Sequence, residues 1–370
     1  MNFERYSKQI LLKEFGIAAQ EKLLNAKVLV VGAGGLGCPA LQYLAAAGVG
    51  TIGIVDFDVV EISNLHRQIL YNVDDIGKSK AETAALKLNL LNPEIKFQSL
   101  NLKLQTSNTL KIVSQYDLVI DGSDNFSTRY LVNDACVLLN KPLVYGAVLQ
   151  FEGQVGVFNL ADKKTNIKTN YRNLFPAPPE NYLSCNEAGV LGVLPGIIGT
   201  MQAAEAIKII TKIDNPLSNK IISYNALNNF FYEFEISPDK KTEEGTPKNE
   251  MEFLNFNYDW FCELHNAICE ISVKEFNEMM SIENLFVIDV REKTELPLVD
   301  EFPLVRISLS EFEKLAPIIS PENKVVVFCK SGKRSIKVAK TLKEKFPTCS
   351  VFSLAGGITA WEKQYKKISV

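Results

Sequence analysis

A glycine-rich turn set between an all-apolar run and a helical segment restricts this chain more than any other feature. Val28-Leu29-Val30-Val31 contains no polar residue, as a parallel strand buried on both faces requires. Gly32-Ala33-Gly34-Gly35-Leu36-Gly37 follows directly, and the helix it opens has Pro39 in its first turn and Gly48 near its end. Such glycines let the main chain approach a phosphate closely, while the helix N-terminus offers unpaired N–H groups and the positive end of its dipole. Asp56 stands 19 residues past Gly37, at the end of the next strand (Thr51 to Val55), where a carboxylate accepts ribose hydroxyls. The glycine pattern by itself does not choose between a dinucleotide and ATP.

Strand and helix go on alternating beyond this unit. Lys80 to Leu91 has helical spacing and stops at Asn92-Pro93, Leu118-Val119-Ile120 and Leu143-Val144-Tyr145 read as strands, and Ser127 to Leu139 reads as the helix between them. The expected fold class is therefore α/β, a Rossmann-like doubly wound sheet. Thr165 to Tyr182, interrupted by Pro176, Pro178 and Pro179, reads as a long surface loop, and helix resumes from Gly196 to Lys212. A second, smaller α/β alternation begins near Ile271, with strands at Phe286 to Val290, Lys324 to Phe328 and Ser350 to Leu354 and a helix at Ser335 to Phe346. The expected boundaries are 1–236 for the first domain, 237–269 for a polar linker and 270–370 for the second.

Composition excludes several classes. A chain of 370 residues exceeds one ordinary core, which agrees with two domains. Its net charge of -3 gives no general attraction for nucleic acid or acidic membranes, so neither is an expected partner. The apolar stretch from Leu41 to Val49 is broken by Gly48 and Gly50 before reaching transmembrane length, and Met1-Asn2-Phe3-Glu4-Arg5-Tyr6 lacks the apolar core of a signal peptide. The seven cysteines are odd in number, scattered and without a CxxC pair, which points to thiol chemistry in a reducing cytoplasm rather than a disulfide framework.

Charged residues gather at the expected strand ends. Asp56-Phe57-Asp58 leads into Ser63-Asn64-Leu65-His66-Arg67-Gln68, then Gly77-Lys78-Ser79-Lys80, and the next strand ends in Asp121-Gly122-Ser123-Asp124-Asn125. In a doubly wound sheet these segments converge on one crevice. Arg67 and Lys80 would bring two cations to a triphosphate, and Asp124 a hard oxygen ligand for Mg²⁺. Nucleotidyl transfer depends mostly on such charge placement. Hydride transfer needs a proton donor more, and of the two histidines, His66 and His265, the second lies outside this sheet.

Together with Arg5-Tyr6-Ser7-Lys8-Gln9-Ile10, these motifs resemble, in order and spacing, the MoeB/ThiF/HesA family, relatives of ubiquitin-activating enzymes, over about residues 3–235. The resemblance implies a homodimer that binds ATP through Gly32, Gly34, Gly35, Gly37, Asp56, Ser63, Asn64, Arg67, Lys80, Asp124 and Asn125. It implies adenylation of a small ubiquitin-like sulfur carrier ending in Gly-Gly. Lys8 occupies a position where an arginine usually reaches the neighbouring subunit's triphosphate; the charge is kept and the bidentate fork is lost. Many members carry two CxxC pairs on a structural zinc. Here Asn170-Tyr171-Arg172-Asn173 stands where the first would fall, there is no second, and Cys262 and Cys269, seven apart, lack zinc spacing. A rhodanese-fused subgroup with a segment similar to Tyr171 to Pro176 lacks the metal, so no zinc is expected.

Two thiols stand out. Cys185 lies in the polar run Ser184-Cys185-Asn186-Glu187-Ala188-Gly189-Val190, where the family places a cysteine that links covalently to the carrier or its sulfur donor. Cys329 follows Val325-Val326-Val327-Phe328 and opens Cys329-Lys330-Ser331-Gly332-Lys333-Arg334-Ser335, which runs into a helix. Loop N–H groups, the helix dipole and three cations would favour thiolate there. The loop resembles that of the rhodanese family over about 270–368, supported by Asp289-Val290-Arg291-Glu292 and Leu354-Ala355-Gly356-Gly357-Ile358-Thr359-Ala360-Trp361. Thiolate phosphatases place five residues between Cys and Arg; here Arg334 follows after four, a ring suited to a persulfide. The implied sequence is adenylation of the carrier, then attack by a Cys329 persulfide charged by a donor such as a cysteine desulfurase. Molybdopterin, thiamine, cysteine and tRNA-thiolation pathways all use this chemistry. An NAD-dependent oxidoreductase, a non-catalytic scaffold and an activating enzyme for a protein modifier are the alternative readings.

Overall fold

In the computed structural model the apolar run becomes a central strand, β1 (Lys27–Val31), whose last four residues are buried. The structure describes residues 3–178, 189–239, 245–259, 261, 269–280, 284–296, 298–312, 324–346 and 349–365. The chain divides into two units, one reaching to Tyr258 and the other running from Asp259 onward.

In the first unit a short α1 (Ser7–Ile10) and α2 (Gly16–Asn25) precede β1. Then follow α3 (Gly37–Ala47), β2 (Thr51–Val55), α4 (Lys80–Leu91), β3 (Lys96–Leu100), α5 (Thr106–Val113), β4 (Leu118–Asp121), α6 (Phe126–Leu138) and β5 (Leu143–Leu149). These strands pair in parallel in the order β3-β2-β1-β4-β5. Strand order reverses about β1, so the loops after β1 and β4 open side by side, the usual ligand position in such sheets. Local chemistry sets the ends: Gly48 takes the left-handed conformation that stops α3, Ser79 caps α4 and Asn125 caps α6.

Beyond β5 the sheet turns antiparallel through β6 (Glu152–Phe158), β7 (Lys220–Asn225) and β8 (Phe230–Glu235), strands the sequence reading did not find. Between β6 and β7 lie α7 (Tyr171–Leu174) and α8 (Leu194–Thr211). The helix α8 packs on α3 and starts two residues before the expected Gly196, because Pro195 is accommodated in its first turn.

Two stretches read as irregular are more ordered than their composition suggests. Within the expected 165–182 loop, α7 buries Tyr171 and Arg172. Within the expected 237–269 linker, α9 (Glu250–Asn255) packs against α5 and α6 and buries Phe253. The two stretches meet: Arg172 donates through Nε to Asp134 Oδ1 (2.9 Å) and through Nη2 to Oδ2 (2.7 Å), and the Tyr258 hydroxyl donates to Oδ2 (2.9 Å). The guanidinium also stacks on Tyr130 and Phe256. The position where the first CxxC pair would fall thus holds a buried ion pair flanked by aromatic rings. Asn133 Nδ2 also donates to Oδ1 (3.0 Å), so Tyr258→Phe removes one of four side-chain hydrogen bonds to Asp134 and is expected to lower stability by about 1–2 kcal/mol, measured by urea denaturation of the full chain.

The second unit contains β9 (Cys269–Ile271), α10 (Val273–Met279), β10 (Leu285–Asp289), β11 (Val305–Arg306), β12 (Lys324–Phe328), α11 (Lys333–Lys345), β13 (Ser350–Leu354) and α12 (Gly357–Tyr365). Its strands form an all-parallel sheet in the order β11-β10-β12-β13-β9. The central β12 is buried from Val325 to Phe328, with Val325 and Val327 on one core face and Val326 and Phe328 on the other. The expected α/β class holds in both units. Among the described residues no helix is long and apolar enough to cross a membrane.

Candidate functional site

In the first unit a cleft of about 880 Å³ opens at the carboxyl ends of β1, β2 and β4. Its floor is the glycine loop, held by the main chain rather than by side chains: a Cβ on Gly37 would lie 1.9 Å from the Gly32 carbonyl oxygen. The structure brings Gly32, Gly34, Gly35, Asp56, Arg67, Lys80, Asp124 and Asn125 to this cleft. Asp56 is 8% exposed; its Oδ2 accepts from Ala33 N–H and its Oδ1 from Asp58 N–H, both at 2.8 Å. Burial raises its pKa, and those two hydrogen bonds oppose the rise only in part.

The cations are held differently. Lys80, buried at the start of α4, pairs with Asp58 at 2.9 Å. Arg67 is half-buried, donates through Nη1 to the Ser63 carbonyl (3.1 Å) and places Cδ 3.5 Å from where a Gly35 Cβ would sit. Asp124 is exposed and, among the described residues, no polar group bonds its carboxylate. Asn125 spends its side-chain oxygen on the Thr128 N–H, capping α6.

Four expected contacts fall outside the cleft lining. Gly37 lies beneath the loop, where the Gly32 carbonyl leaves no room for a side chain. Asn64 is buried in a reciprocal cap with Glu61, so its amide serves the turn that presents Arg67. Ser63 is exposed and bonded to Glu61. Lys8 is exposed on α1, away from the cleft of its own chain. Gln68, Lys103 and the apolar wall of Leu102, Leu104, Val148, Val190 and Pro195 also line the cleft, and the sequence reading did not single them out as contacts. Gln68 is 3% exposed, its Oε1 has no partner among the described residues, and its Nε2 lies 3.6 Å from where a Gly34 Cβ would sit. Only the alternation Leu102-Lys103-Leu104 could have drawn attention to Lys103.

In the second unit Cys329 ends up fully buried at the carboxyl end of β12. Gly332 N–H donates to Sγ (3.2 Å), and the Ser335 hydroxyl lies 3.5 Å from it. Burial pushes the thiol up, but the Ser335 hydroxyl and the N–H groups of Ser335, Ser331 and Arg334 outweigh it and bring the pKa below its ordinary value. The loop is strapped from behind: Ile358 N–H donates to the Cys329 carbonyl (2.8 Å), the Thr359 hydroxyl to the Lys330 carbonyl (2.8 Å), and a Cβ on Gly357 would lie 2.3 Å from the Cys329 carbonyl oxygen.

The three expected cations do not act alike. Lys330 and Lys333 are exposed, and Ser331 beside them likewise faces solvent. Arg334 is drawn into a two-pronged ion pair with Glu295, its Nη2–Oε2 contact 2.7 Å long. That pair holds the Glu295 carboxyl at about 2, so its contribution is present above the ordinary carboxylate range and is lost only as pH falls through that value. Arg291 is fully buried on Asp289 and stacks on Phe328 beneath the loop, so this motif supports β10 and β12 rather than the sulfur.

Among the other thiols, burial pushes Cys38 up to about 12 and raises Cys136 as well, leaving both unreactive. Cys185 and Cys262 lie outside the described residues. Among the described residues no group of three or more His, Cys, Asp or Glu is arranged to hold a metal ion.

Both units have relatives among known proteins. Residues 6–246 match the ThiF family and residues 272–364 the rhodanese-like domain. A Mycobacterium tuberculosis protein named "Probable adenylyltransferase/sulfurtransferase MoeZ" is 40% identical over 375 residues, covering 97% of this chain and 93% of that protein. A Thermus thermophilus protein named "Sulfur carrier protein adenylyltransferase" is 51% identical over 226 residues, 60% of this chain and 83% of that protein. Among solved structures, E. coli MccB with AMPCPP and MccA aligns with a TM-score of 0.56 at 25% identity, over 65% of this chain and 73% of that one.

Proposed function

The chain belongs to the ThiF family and continues into a rhodanese-like domain, and from that premise we propose that it adenylates the C-terminal glycine of a ubiquitin-like sulfur carrier and then delivers sulfur to it. It is an adenylyltransferase and a sulfurtransferase in one chain. The observation that carries the first half is the gathering of the glycine loop, Asp56, Arg67, Lys80 and Asp124 around one cleft at the sheet's switch point.

In this reading the glycine loop takes the phosphates, Asp56 takes the ribose, and Leu102, Leu104 and Val148 offer an apolar wall to the base. Arg67 and Lys80 neutralise charge that builds on the phosphates as the carrier's carboxylate oxygen attacks the α-phosphorus and pyrophosphate leaves. Asp124, with its unbonded carboxylate in the cleft, is the residue that would hold Mg²⁺, which supplies further charge neutralisation when bound. Lys8, outside its own chain's cleft, serves the triphosphate of the second copy in a homodimer. Exposed Ile62, Ile69 and Val73 near the Arg67 turn support such an assembly.

The second half belongs to Cys329. As thiolate it attacks the terminal sulfur of a persulfide on a donor such as a cysteine desulfurase, and the donor's own sulfur leaves as thiolate. The resulting persulfide attacks the acyl-adenylate carbonyl, and AMP leaves. A thiol then attacks the inner sulfur of the acyl disulfide, freeing the carrier thiocarboxylate and forming a disulfide on the enzyme; Cys185 is assigned this step from its sequence setting. The test is ATP–pyrophosphate exchange with a carrier ending in Gly-Gly. Exchange that depends on both magnesium and that tail is expected, and nicotinamide binding without exchange would sink the reading.

A further inference from the structure

Behind the sulfur loop two hydroxyls are sealed from solvent. Ser335, in the first turn of α11, and Ser353, on β13, are each 0% exposed. The Ser353 hydroxyl donates to Ser335 Oγ at 3.0 Å. Ser335 Oγ in turn lies 2.7 Å from the Gly332 carbonyl oxygen and 3.5 Å from Cys329 Sγ. Ser335 has one proton and two acceptors, while Ser353 supplies its oxygen with a donor whichever acceptor is used. On β13 the neighbouring buried positions are Val351 and Leu354, so a buried hydroxyl at 353 is costly unless it is bonded in this way.

We propose that Ser335 and Ser353 are positioning residues, a two-hydroxyl relay that follows the charge on Cys329 through the sulfur cycle. With the sulfur protonated, the Ser335 proton stays on the Gly332 carbonyl. When solvent base takes the thiol proton, the Ser335 hydroxyl turns to Sγ and holds the thiolate for attack on the donor. Once the S–S bond has formed, the negative charge has left on the donor's thiolate, Sγ is neutral and the Ser335 proton returns to the carbonyl; the outer sulfur becomes anionic when solvent base takes the persulfide proton. Cys329 would thus be charged when it must attack and uncharged at Sγ once loaded. The inference rests on the reading that Cys329 carries the sulfur.

Other charged groups near the loop stay constant in the test. They are Arg334 with Glu295, exposed Lys330 and Lys333, the Asp289–Arg291 pair on β10 and its loop, and Glu270 on β9, whose Oε1 is 3.5 Å from where a Gly332 Cβ would sit. The experiment is the pH profile of iodoacetamide labelling at Cys329 in the full chain, read peptide by peptide by mass spectrometry. Ser335→Ala is expected to slow labelling about tenfold at neutral pH and move the midpoint to higher pH, with rates converging in alkali, since a hydrogen bond to a charged group is lost. Ser353→Ala should shift it the same way by about threefold, as one neutral bond is lost. Ser335→Thr should restore the profile. A midpoint unmoved in Ser335→Ala, or in Ser353→Ala where the former does not fold, overturns the relay. Carrier sulfuration without Cys329 would sink the proposed second half-reaction while leaving these midpoints readable.

Discussion

With Cys329 replaced by alanine, pyrophosphate exchange should run at the parental rate while no sulfur reaches the carrier. In the proposed reaction the two activities reside in different units, each with its own core and sheet, and Cys329 serves only the second. Removing Sγ leaves Gly332 N–H without its acceptor, a local loss that the strap from Ile358 and Thr359 can bear. Mass spectrometry of the carrier after incubation with ATP and a sulfur donor decides the matter. An adenylated carrier without added sulfur is the expected product, and a thiocarboxylate formed at the parental rate would remove Cys329 from the reaction. Cys329→Ser should do no better, because an alkoxide is not formed under conditions that yield thiolate.

Arg67→Ala should lower exchange by roughly 10²–10³, the usual scale for one lost electrostatic donor at a site of developing charge. Among the described residues its guanidinium is not tied to a carboxylate, whereas Lys80 is shared with Asp58. Little of the fold depends on it, since among the described residues its side chain bonds the Ser63 carbonyl alone. Arg67→Lys should recover part of the loss, because the charge returns without the planar fork. An exchange rate unchanged in Arg67→Ala would remove this residue from the site.

The parts legible in the sequence are those where one chemical requirement dominates several residues in a row. β1 and β12 are apolar runs followed at once by a loop and a helix, so strand, site and helix announce each other. The antiparallel strands gave a weaker signal: β6 contains two glycines, and β8 mixes Phe and Tyr with Glu and exposes all six residues, so neither repeats the fully apolar run of β1 or β12. The charge of residues 237–260 concealed Phe253 and Tyr258, which are spaced for neither helix nor strand yet dock on the first unit. Asn64 and Arg334 show the limit for site residues. Each has a side chain suited to a ligand, but the Asn64 amide accepts from the Glu61 main-chain N–H in a local cap, and Arg334 pairs with Glu295, 39 residues away, a proximity only folding creates. Lys103 and the unsatisfied oxygen of Gln68 are the converse, cleft features that arise from position alone.

Gly37 and Gly357 face neighbouring carbonyl oxygens at separations no methyl group can occupy, whatever either loop does for a living. Descendants of this gene that had lost both reactions would be free to shed Arg67 and Cys329, yet would still need those two glycines to fold. Presence of the glycines in a relative therefore testifies to architecture, and only the cation and the thiol testify to work still being done.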